Sequence, residues 1–181
     1  DGNGQDDFVK ILAGVQESHG GTLEILDTNE KFLKYNSLDD AKENGISFVS
    51  GDRKKEGILP NLSIYENLVV PLYKKTSKAG FLGFVNWMEL NGVFDWEVER
   101  LNIKTGPSDN LIGSLSGGNQ QKVMIARSFA QHPKVLILND PARGIDISTK
   151  RDLYIHLRKY VEEGNTVVFL SSELEEFIGL C

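Results

Sequence analysis

The sequence contains little cysteine, histidine or excess positive charge. Its single cysteine, Cys181, excludes an intrachain disulfide framework and is typical of a protein kept in a reducing cytosolic setting. The net charge of −6 argues against a nucleic-acid-binding surface. No apolar run is long enough to predict a membrane span or a signal peptide, so a membrane role would have to come through a protein partner.

The sequence does contain enough apolar material for one soluble globular domain. Its 181 residues are 40% hydrophobic and 25% charged, which predicts a substantial buried core. The first residues, DGNGQDD, read as a turn with no strand before it. Because such a turn is normally preceded by a strand, we expect the sequence to be a fragment of a longer polypeptide.

Short periodic segments predict the elements in the first part of the chain. Helical spacing predicts one helix with a buried face formed by Phe8, Val9, Ile11, Leu12 and Val15. Alternating residues at 20–26 and 31–35 predict the two strands of a hairpin. Ser37 is expected to cap a short helix that ends at Gly45, before a strand at 46–49.

Residues 51–113 have a different pattern, which predicts an inserted helical subdomain. Turn residues precede apolar residues at helical spacing. The expected helix faces are Ile64, Leu68 and Val69; Phe81, Phe84, Val85 and Met88; and Phe94, Val98 and Leu101. The basic run Arg53, Lys54 and Lys55 is interpreted as a solvated loop in preference to a phosphate contact.

The last third of the chain predicts a parallel sheet. Unbroken apolar runs at 135–138 and 166–170 are typical of strands buried on both faces. Between them, a helix at 148–163 is expected to direct inward Leu153, Leu157, Tyr160 and Val161. Strands that alternate with helices predict a doubly wound α/β sheet, with ligands at the carboxyl ends of the strands.

The most informative segment is the polar turn at residues 114–122, which reads SLSGGNQQK and leads into a helix. Gly117 and Gly118 allow close approach of a ligand, and a helix N-terminus presents free N–H groups and partial positive charge to an anion. Ser116 is also a good helix cap. Taken alone, the turn leaves both interpretations open, a phosphate site or a structural cap.

Several motifs in a fixed order resemble those of ABC transporter nucleotide-binding domains, over essentially the whole chain. Residues 115–121 resemble the signature motif, strand 135–138 with Asn139-Asp140-Pro141 resembles Walker B, and Gly144-Ile145-Asp146 resembles the D-loop. The stretches GDRKKEG and RGID are similar to the second cassette of tandem ATP-binding proteins in ribose-type importers. The resemblance implies a P-loop NTPase-like core at 1–50 and 114–181, a small antiparallel β region and a helical subdomain at 51–113.

The resemblance also implies a Walker A-like loop formed by Gly2, Asn3, Gly4, Gln5, Asp6 and Asp7. Gln5 stands where the family has the phosphate-binding lysine, and Asp6 where it has a hydroxyl. A carboxylate about 4 Å from a phosphate costs ~4 kcal/mol at an effective dielectric of about 20, before screening by solvent. Weak or absent nucleotide binding is therefore predicted here, unless Asp6 and Asn139 hold a Mg²⁺ ion that bridges to phosphate.

Other positions of this local site depart from the family in the same direction. Asn139 replaces the Walker B aspartate and is a poorer ligand for Mg²⁺. Asp140 replaces the catalytic glutamate, Ser172 replaces the switch histidine, and Gly51 stands at the Q-loop glutamine. Catalysis at the site built by this chain is not expected.

The signature residues are unaltered, namely Ser116, Gly117, Gly118, Asn119 and Gln120, and the D-loop keeps Asp146. In the family, two cassettes pack head to tail, and each ATP lies between the Walker A loop of one and the signature motif of the other. The resemblance therefore implies that this chain completes a partner cassette's ATP and Mg²⁺ site in trans. Further implied partners are permease subunits and, indirectly, a sugar-binding protein, at the cytoplasmic face of the membrane.

Two other functions stay open at this point. The domain could be a non-enzymatic brace for a membrane subunit, or a weakly active ATPase that uses Asp140 and a cation on Asp6. Whether the chain is itself an enzyme is thus undecided. His19, His132 and His156 lack metal-ligand spacing, and no chemistry is assigned to them.

Overall fold

The chain begins with a helix and a small antiparallel pair of strands in the computed structural model, which describes residues 3–18, 20–26, 32–73, 85–173 and 175–176. Helix α1 spans Gln5–Leu12, strands β1 and β2 span Glu24–Leu26 and Phe32–Lys34, and helix α2 spans Leu38–Glu43. Ser37 Oγ accepts the N–H of Asp40 at 3.1 Å and caps α2. The predicted helix, strand pair and cap are confirmed.

The centre of the fold is a parallel sheet. Strand β3 spans Ile46–Val49, β4 spans Val135–Asn139 and β5 spans Thr166–Leu170, in the order β3-β4-β5. Leu138 lies opposite Val49 on one side and Phe169 on the other, and it is fully buried. Strand β5 is only half-buried, whereas β3, at the other edge of the described sheet, is mostly buried. The predicted α/β class is confirmed.

The region between β3 and β4 is mainly helical. It contains a π-helical turn at Arg53–Gly57, helix α3 at Ile64–Val69, helix α4 at Trp87–Arg100, and 3₁₀ turns at Val70–Leu72 and Ile112–Ser114. A capping box between Ser63 and Glu66 starts α3, whose predicted inward residues are all fully buried. The rings of Tyr65 and Phe94 lie 5.1 Å apart and join α3 to α4.

Two helices flank β4 in the sequence and position the polar turn. Helix α5 spans Gly117–Phe129 and helix α6 spans Ile147–Glu162. The Phe129 ring packs 5.0 Å from the Tyr160 ring, and the guanidinium of Arg100 lies 4.3 Å from the centre of the same Phe129 ring. One aromatic side chain thus connects α4, α5 and α6.

The predicted buried face of α1 is partly wrong. Val9 is buried, but Phe8 is 60% exposed and Val15 is 47% exposed. Val15 lies beyond the end of α1, so the helical spacing that predicted its burial does not apply. Val161, predicted to face inward from α6, is also about half-exposed, because the inward stripe of α6 is formed by Leu153, Leu157 and Tyr160.

Helix α4 contains two residues of the expected third helix face and one residue of the expected second. Met88 and Phe94 lie on this one helix, and Met88 is 86% exposed in its first turn. Phe94 and Leu101 are buried as predicted, and Val98 is half-buried. Phe81 and Phe84 lie outside the described residues.

Candidate functional site

The Walker A-like loop ends in a left-handed glycine. Gly4 has φ of 74° and precedes α1, and its carbonyl accepts the N–H of Phe8 at 2.9 Å. Asp6 and Asp7 occupy the first turn, where carboxylates stabilise a helix N-terminus. These charges favour α1 itself and oppose a phosphate at the same helix end. Gln5 is exposed, and Gly2 lies outside the described residues.

Asp6 is held between two side chains. Its Oδ1 accepts the Nδ2–H of Asn139 at 2.6 Å, and its Oδ2 pairs with Lys10 Nζ at 2.7 Å. The hydrogen bond from Lys10 is the largest cause that holds the pKa of Asp6 below its usual range. Burial opposes it, and the hydrogen bond from Asn139 adds a smaller lowering effect. The sequence-predicted pair Asp6 and Asn139 is therefore brought together, with a lysine added that sequence reasoning missed.

Asp140 and Ser172 also meet. Ser172 Oγ donates to Asp140 Oδ2 at 3.0 Å, and Asp140 N–H continues the β4–β5 ladder by donating to Leu170 O at 2.8 Å. Asp140 has φ of 47°, in the left-handed region, which aspartate tolerates better than most side chains. The residues at the catalytic-carboxylate and switch positions thus form one small pair at the carboxyl end of the sheet.

The local site does not fit Mg²⁺ as it stands. Both Asp6 oxygens are engaged, and the ammonium of Lys10 occupies the place of a cation. Within the described part of the chain, His, Cys, Asp and Glu form no group of three or more that could hold a metal. Mg²⁺ prefers several oxygen ligands in near-octahedral geometry, which this arrangement does not offer.

Gly51, at the Q-loop position, packs directly against the end of β4. A Cβ built on it would lie 2.8 Å from the carbonyl oxygen of Asn139, closer than real Cβ contacts. This close approach explains the need for glycine. Position 51 therefore brings only backbone to the local site.

The signature turn, residues 114–122, is fixed by its own side chains. Ser116 Oγ caps α5 and accepts the Nδ2–H of Asn119 at 3.0 Å, while Asn119 Oδ1 accepts the backbone N–H of Lys104 at 2.9 Å. Gln120 Nε2 donates to Leu115 O at 2.9 Å. The cap predicted at Ser116 is confirmed. The side chains of Asn119 and Gln120 hold the turn in shape, and their contact with a ligand stays a prediction.

The D-loop residue Asp146 lies beside the signature turn. It caps α6, accepting from Ser148 Oγ and from the N–H and Oγ1 of Thr149. These hydrogen bonds, Ser148 first, hold the pKa of Asp146 well below its usual range. A Cβ on Gly118 would lie 3.5 Å from Asp146 Oδ2. The first turns of α5 and α6 therefore meet.

Arg53 contradicts the interpretation of its basic run as a solvated loop. Its Nη1 donates to Gly117 O at 2.9 Å, across 64 residues of sequence, and its side chain is partly buried. Lys54 and Lys55 are exposed, as predicted. No local pattern reveals this contact, because it depends on where β3 ends relative to α5.

Outside these two regions lies a cavity of about 520 Å³, lined by α6 residues and by Glu173, Glu175 and Glu176. Lys150 Nζ crosses to Glu173 at 2.6 Å and Glu176 at 2.9 Å. None of the predicted nucleotide residues lines this cavity. In the described ranges, no helix has the length and apolarity needed to span a bilayer.

The family is decided by comparison with known proteins. The family model described as ABC transporter matches residues 1–143. The chain belongs to the ABC transporter family. It is similar to the ribose import ATP-binding protein RbsA of Bacillus cereus (strain ZK / E33L), with 38% identity over 179 residues. The RbsA protein of Lactococcus lactis subsp. lactis (strain IL1403) is 35% identical over 188 residues.

These matches cover 99% of this chain and 35% of either relative, so the chain spans about a third of their length. Solved ABC cassettes share the fold. The dimeric structure of a bacterial ABC transporter cassette superimposes with a TM-score of 0.81 at 23% identity, covering 99% of this chain and 74% of that one. A cassette dimer in a post-hydrolysis state, bound to ADP and Pi, gives 0.76 at 24% identity, covering 96% and 72%.

Proposed function

We propose that this chain is the second cassette of a tandem ATP-binding protein of a sugar importer. Its signature turn would complete the ATP site of a partner cassette, while its own site contributes little hydrolysis. The share of the RbsA relatives outside the match, roughly two thirds, leaves room for another cassette of this size. Ribose or a similar monosaccharide is the proposed cargo because these relatives are named for ribose import.

The observation that carries the proposal is the contrast between the two ends of the domain. At the local site, Lys10 and Asn139 each engage one oxygen of the Asp6 carboxylate, at the place where a phosphate and its cation would bind. At the signature turn, Gly117 and Gly118 open a 13-residue helix with a polar, preformed entry. The first N–H groups of a helix have no intrahelical acceptor and suit a phosphate oxygen.

In this arrangement the partner cassette supplies the Walker A lysine and Mg²⁺, which hold the nucleotide. Ser116 and the glycine N–H groups of this chain would contact the γ-phosphate and stabilise charge during transfer to water. Asp146, next to Gly118, would face the same interface. The helical subdomain at 51–113 would dock on a permease at the cytoplasmic face of the membrane, and a sugar-binding protein would deliver the cargo.

The test is ATP turnover by the assembled importer carrying Gly118→Asp. A carboxylate at this position adds negative charge where a phosphate should dock, so we expect turnover to fall at least about tenfold. The matched control is Gly113→Asp, four residues before the first signature glycine, where a new Cβ meets open space. Unchanged turnover in Gly118→Asp would reject the proposal in favour of a purely structural brace.

A second candidate, a weakly active ATPase, is favoured by the meeting of Asp140 and Ser172 at 3.0 Å. A partly exposed carboxylate held by a hydroxyl could orient a water molecule. The discriminating experiment removes the Walker A lysine from the partner cassette. ATP turnover that survives there and disappears on adding Asp140→Asn would support this candidate over the first.

A further inference from the structure

Residues 50–57 connect the end of β3 to the helical region, and they are internally fixed. Ser50 Oγ donates to Glu56 Oε2 at 2.5 Å, and Asp52 Oδ1 accepts the N–H of Lys55 at 3.1 Å. The backbone N–H of Glu56 donates to Asp52 O at 2.9 Å. The π-helical turn that carries Arg53 is therefore a defined platform and not a loose loop.

This platform is fastened to α5 at two points. At its start, Arg53 Nη1 donates to Gly117 O at 2.9 Å; at its end, Arg127 Nη2 donates to Gly57 O at 2.5 Å. Gly117 and Arg127 are separated by about 15 Å along the helix, given a rise of ~1.5 Å per residue. Two contacts at that separation fix both the position and the tilt of α5 relative to the platform.

The guanidinium of Arg53 uses the space that a side chain at 117 would fill. A Cβ on Gly117 would lie 3.0 Å from Arg53 Nη2 and 3.3 Å from Nη1. Position 117 must therefore be glycine for the Arg53 guanidinium to approach the start of α5. The contact is made with Gly117, the first residue of α5.

The electrostatics of this placement point to an anion. A permanent positive charge at a helix N-terminus opposes the helix macrodipole and so does not stabilise the helix by itself. Arg53 Nε is buried and finds no acceptor among the described residues, which adds a further cost. The electrostatic cost of this charge falls when negative charge arrives at the turn.

We propose that Arg53 is a positioning residue for the signature turn. It holds the Gly117 carbonyl so that the first N–H groups of α5 are aimed outward, and it adds a fixed positive charge beside them. The ligand class is the phosphate of a nucleotide bound to a partner cassette, so this inference rests on the proposed function. It assigns to residues 51–57 a role at the partner's nucleotide in addition to their contact with β4.

The test compares Arg53→Ala, Arg53→Lys and Lys54→Ala in the assembled importer. Lys54 is the adjacent exposed cation, so Lys54→Ala makes the same change in charge without the contact to Gly117. We expect Arg53→Ala to lower kcat about tenfold while KM for ATP changes by less than about twofold, because the turn engages the phosphate after the partner has bound it. Arg53→Lys, which keeps a donor and the charge, should recover most of the loss.

Equal kcat in Arg53→Ala and Lys54→Ala overturns the inference, as does a loss in Arg53→Ala that Arg53→Lys does not reduce. Melting temperatures of the three variants, measured alongside, should agree with one another. The Gly118→Asp variant distinguishes failure of this inference from failure of the proposed function. If Gly118→Asp abolishes turnover and Arg53→Ala does not lower it, the inference fails while the proposed function stands. If neither Gly118→Asp nor Arg53→Ala lowers turnover, the proposed function itself is rejected.

Discussion

Asn139 donates its side-chain N–H to Asp6 at 2.6 Å and joins the carboxyl end of β4 to the first turn of α1. An amide is the right partner here because a carboxylate at 139 would face the carboxylate of Asp6. With Lys10 on its other oxygen, each carboxylate oxygen of Asp6 has a protein partner. The side chains at positions 6 and 139 are thus complementary to each other.

The first prediction concerns Asn139→Asp. This variant should lose about 1 to 3 kcal/mol of unfolding free energy at pH 7, because a partly buried hydrogen bond is replaced by repulsion that solvent over the exposed Asp6 only partly screens. Mg²⁺ should recover part of the loss, since two carboxylates can share it. Denaturant unfolding with and without Mg²⁺ measures both effects.

The control for this prediction is the double variant Asp6→Asn with Asn139→Asp, which restores an amide facing a carboxylate. It should be insensitive to Mg²⁺ and more stable than Asn139→Asp. An equal Mg²⁺ effect in the unmodified chain would contradict the assignment of Asp6 as a saturated carboxylate.

The second prediction follows from the lowered pKa of Asp6. A carboxylate whose folded-state pKa lies below its usual value of 3.8 stabilises the fold above that pH, and the contribution is lost as pH falls through the folded-state pKa. Asp6→Asn should therefore be less stable than the unmodified chain at pH 7, and the difference should shrink at acid pH. Asp7→Asn removes the same charge from the same helical turn and serves as the control. An identical pH dependence in both variants would argue against the Lys10 and Asn139 contacts as its cause.

The third prediction contrasts two glycines. Gly51→Ala should destabilise by about 1 to 3 kcal/mol, because the added Cβ would be forced against the carbonyl of Asn139. Gly92→Ala, in the interior of α4 with open space around its Cβ, should stabilise by about 0.5 to 1 kcal/mol through helix propensity. Equilibrium unfolding in urea measures both changes in the free energy of unfolding. If Gly51→Ala stabilises the chain as Gly92→Ala does, the close approach of position 51 to Asn139 is contradicted.

The fourth prediction uses Glu97 on α4, which is 1% exposed. Burial raises its pKa, and the contact of Arg100 with Oε1 at 3.3 Å only partly offsets this. A carboxylate with a raised folded-state pKa favours the protonated fold below the usual value of 4.5, an advantage lost as pH rises through the folded-state pKa.

The unmodified chain should therefore gain stability relative to Glu97→Gln as pH is lowered from 7 towards 4.5. Thermal melting across this range, with the exposed Glu99→Gln as reference, measures the gain. A pH profile for Glu97→Gln that parallels Glu99→Gln would mean that burial of Glu97 has no electrostatic cost.

Features set by neighbouring residues could be predicted from the sequence. The strand expected at 135–138 extends through Asn139, and the helix expected at 148–163 is Ile147–Glu162, because apolar runs and caps such as Ser116 act locally. Arg53 could not be predicted because its partner Gly117 is brought close only by the crossing of β3 and α5. The predicted burial of Met88 is wrong because periodicity identifies an apolar face without showing whether another element covers it.

Helix α5 is buried along most of its length, from Gln121 through Phe129, while its first turn stays accessible. Because the rest of α5 is buried in the core, its first turn cannot swing towards a nucleotide as a flexible lid would. Engagement of a partner's phosphate would have to come from movement of the whole domain, and little conformational entropy would remain to be lost at the turn itself. The approach of the two cassettes, and not the ordering of a loop, would then limit the rate of turnover.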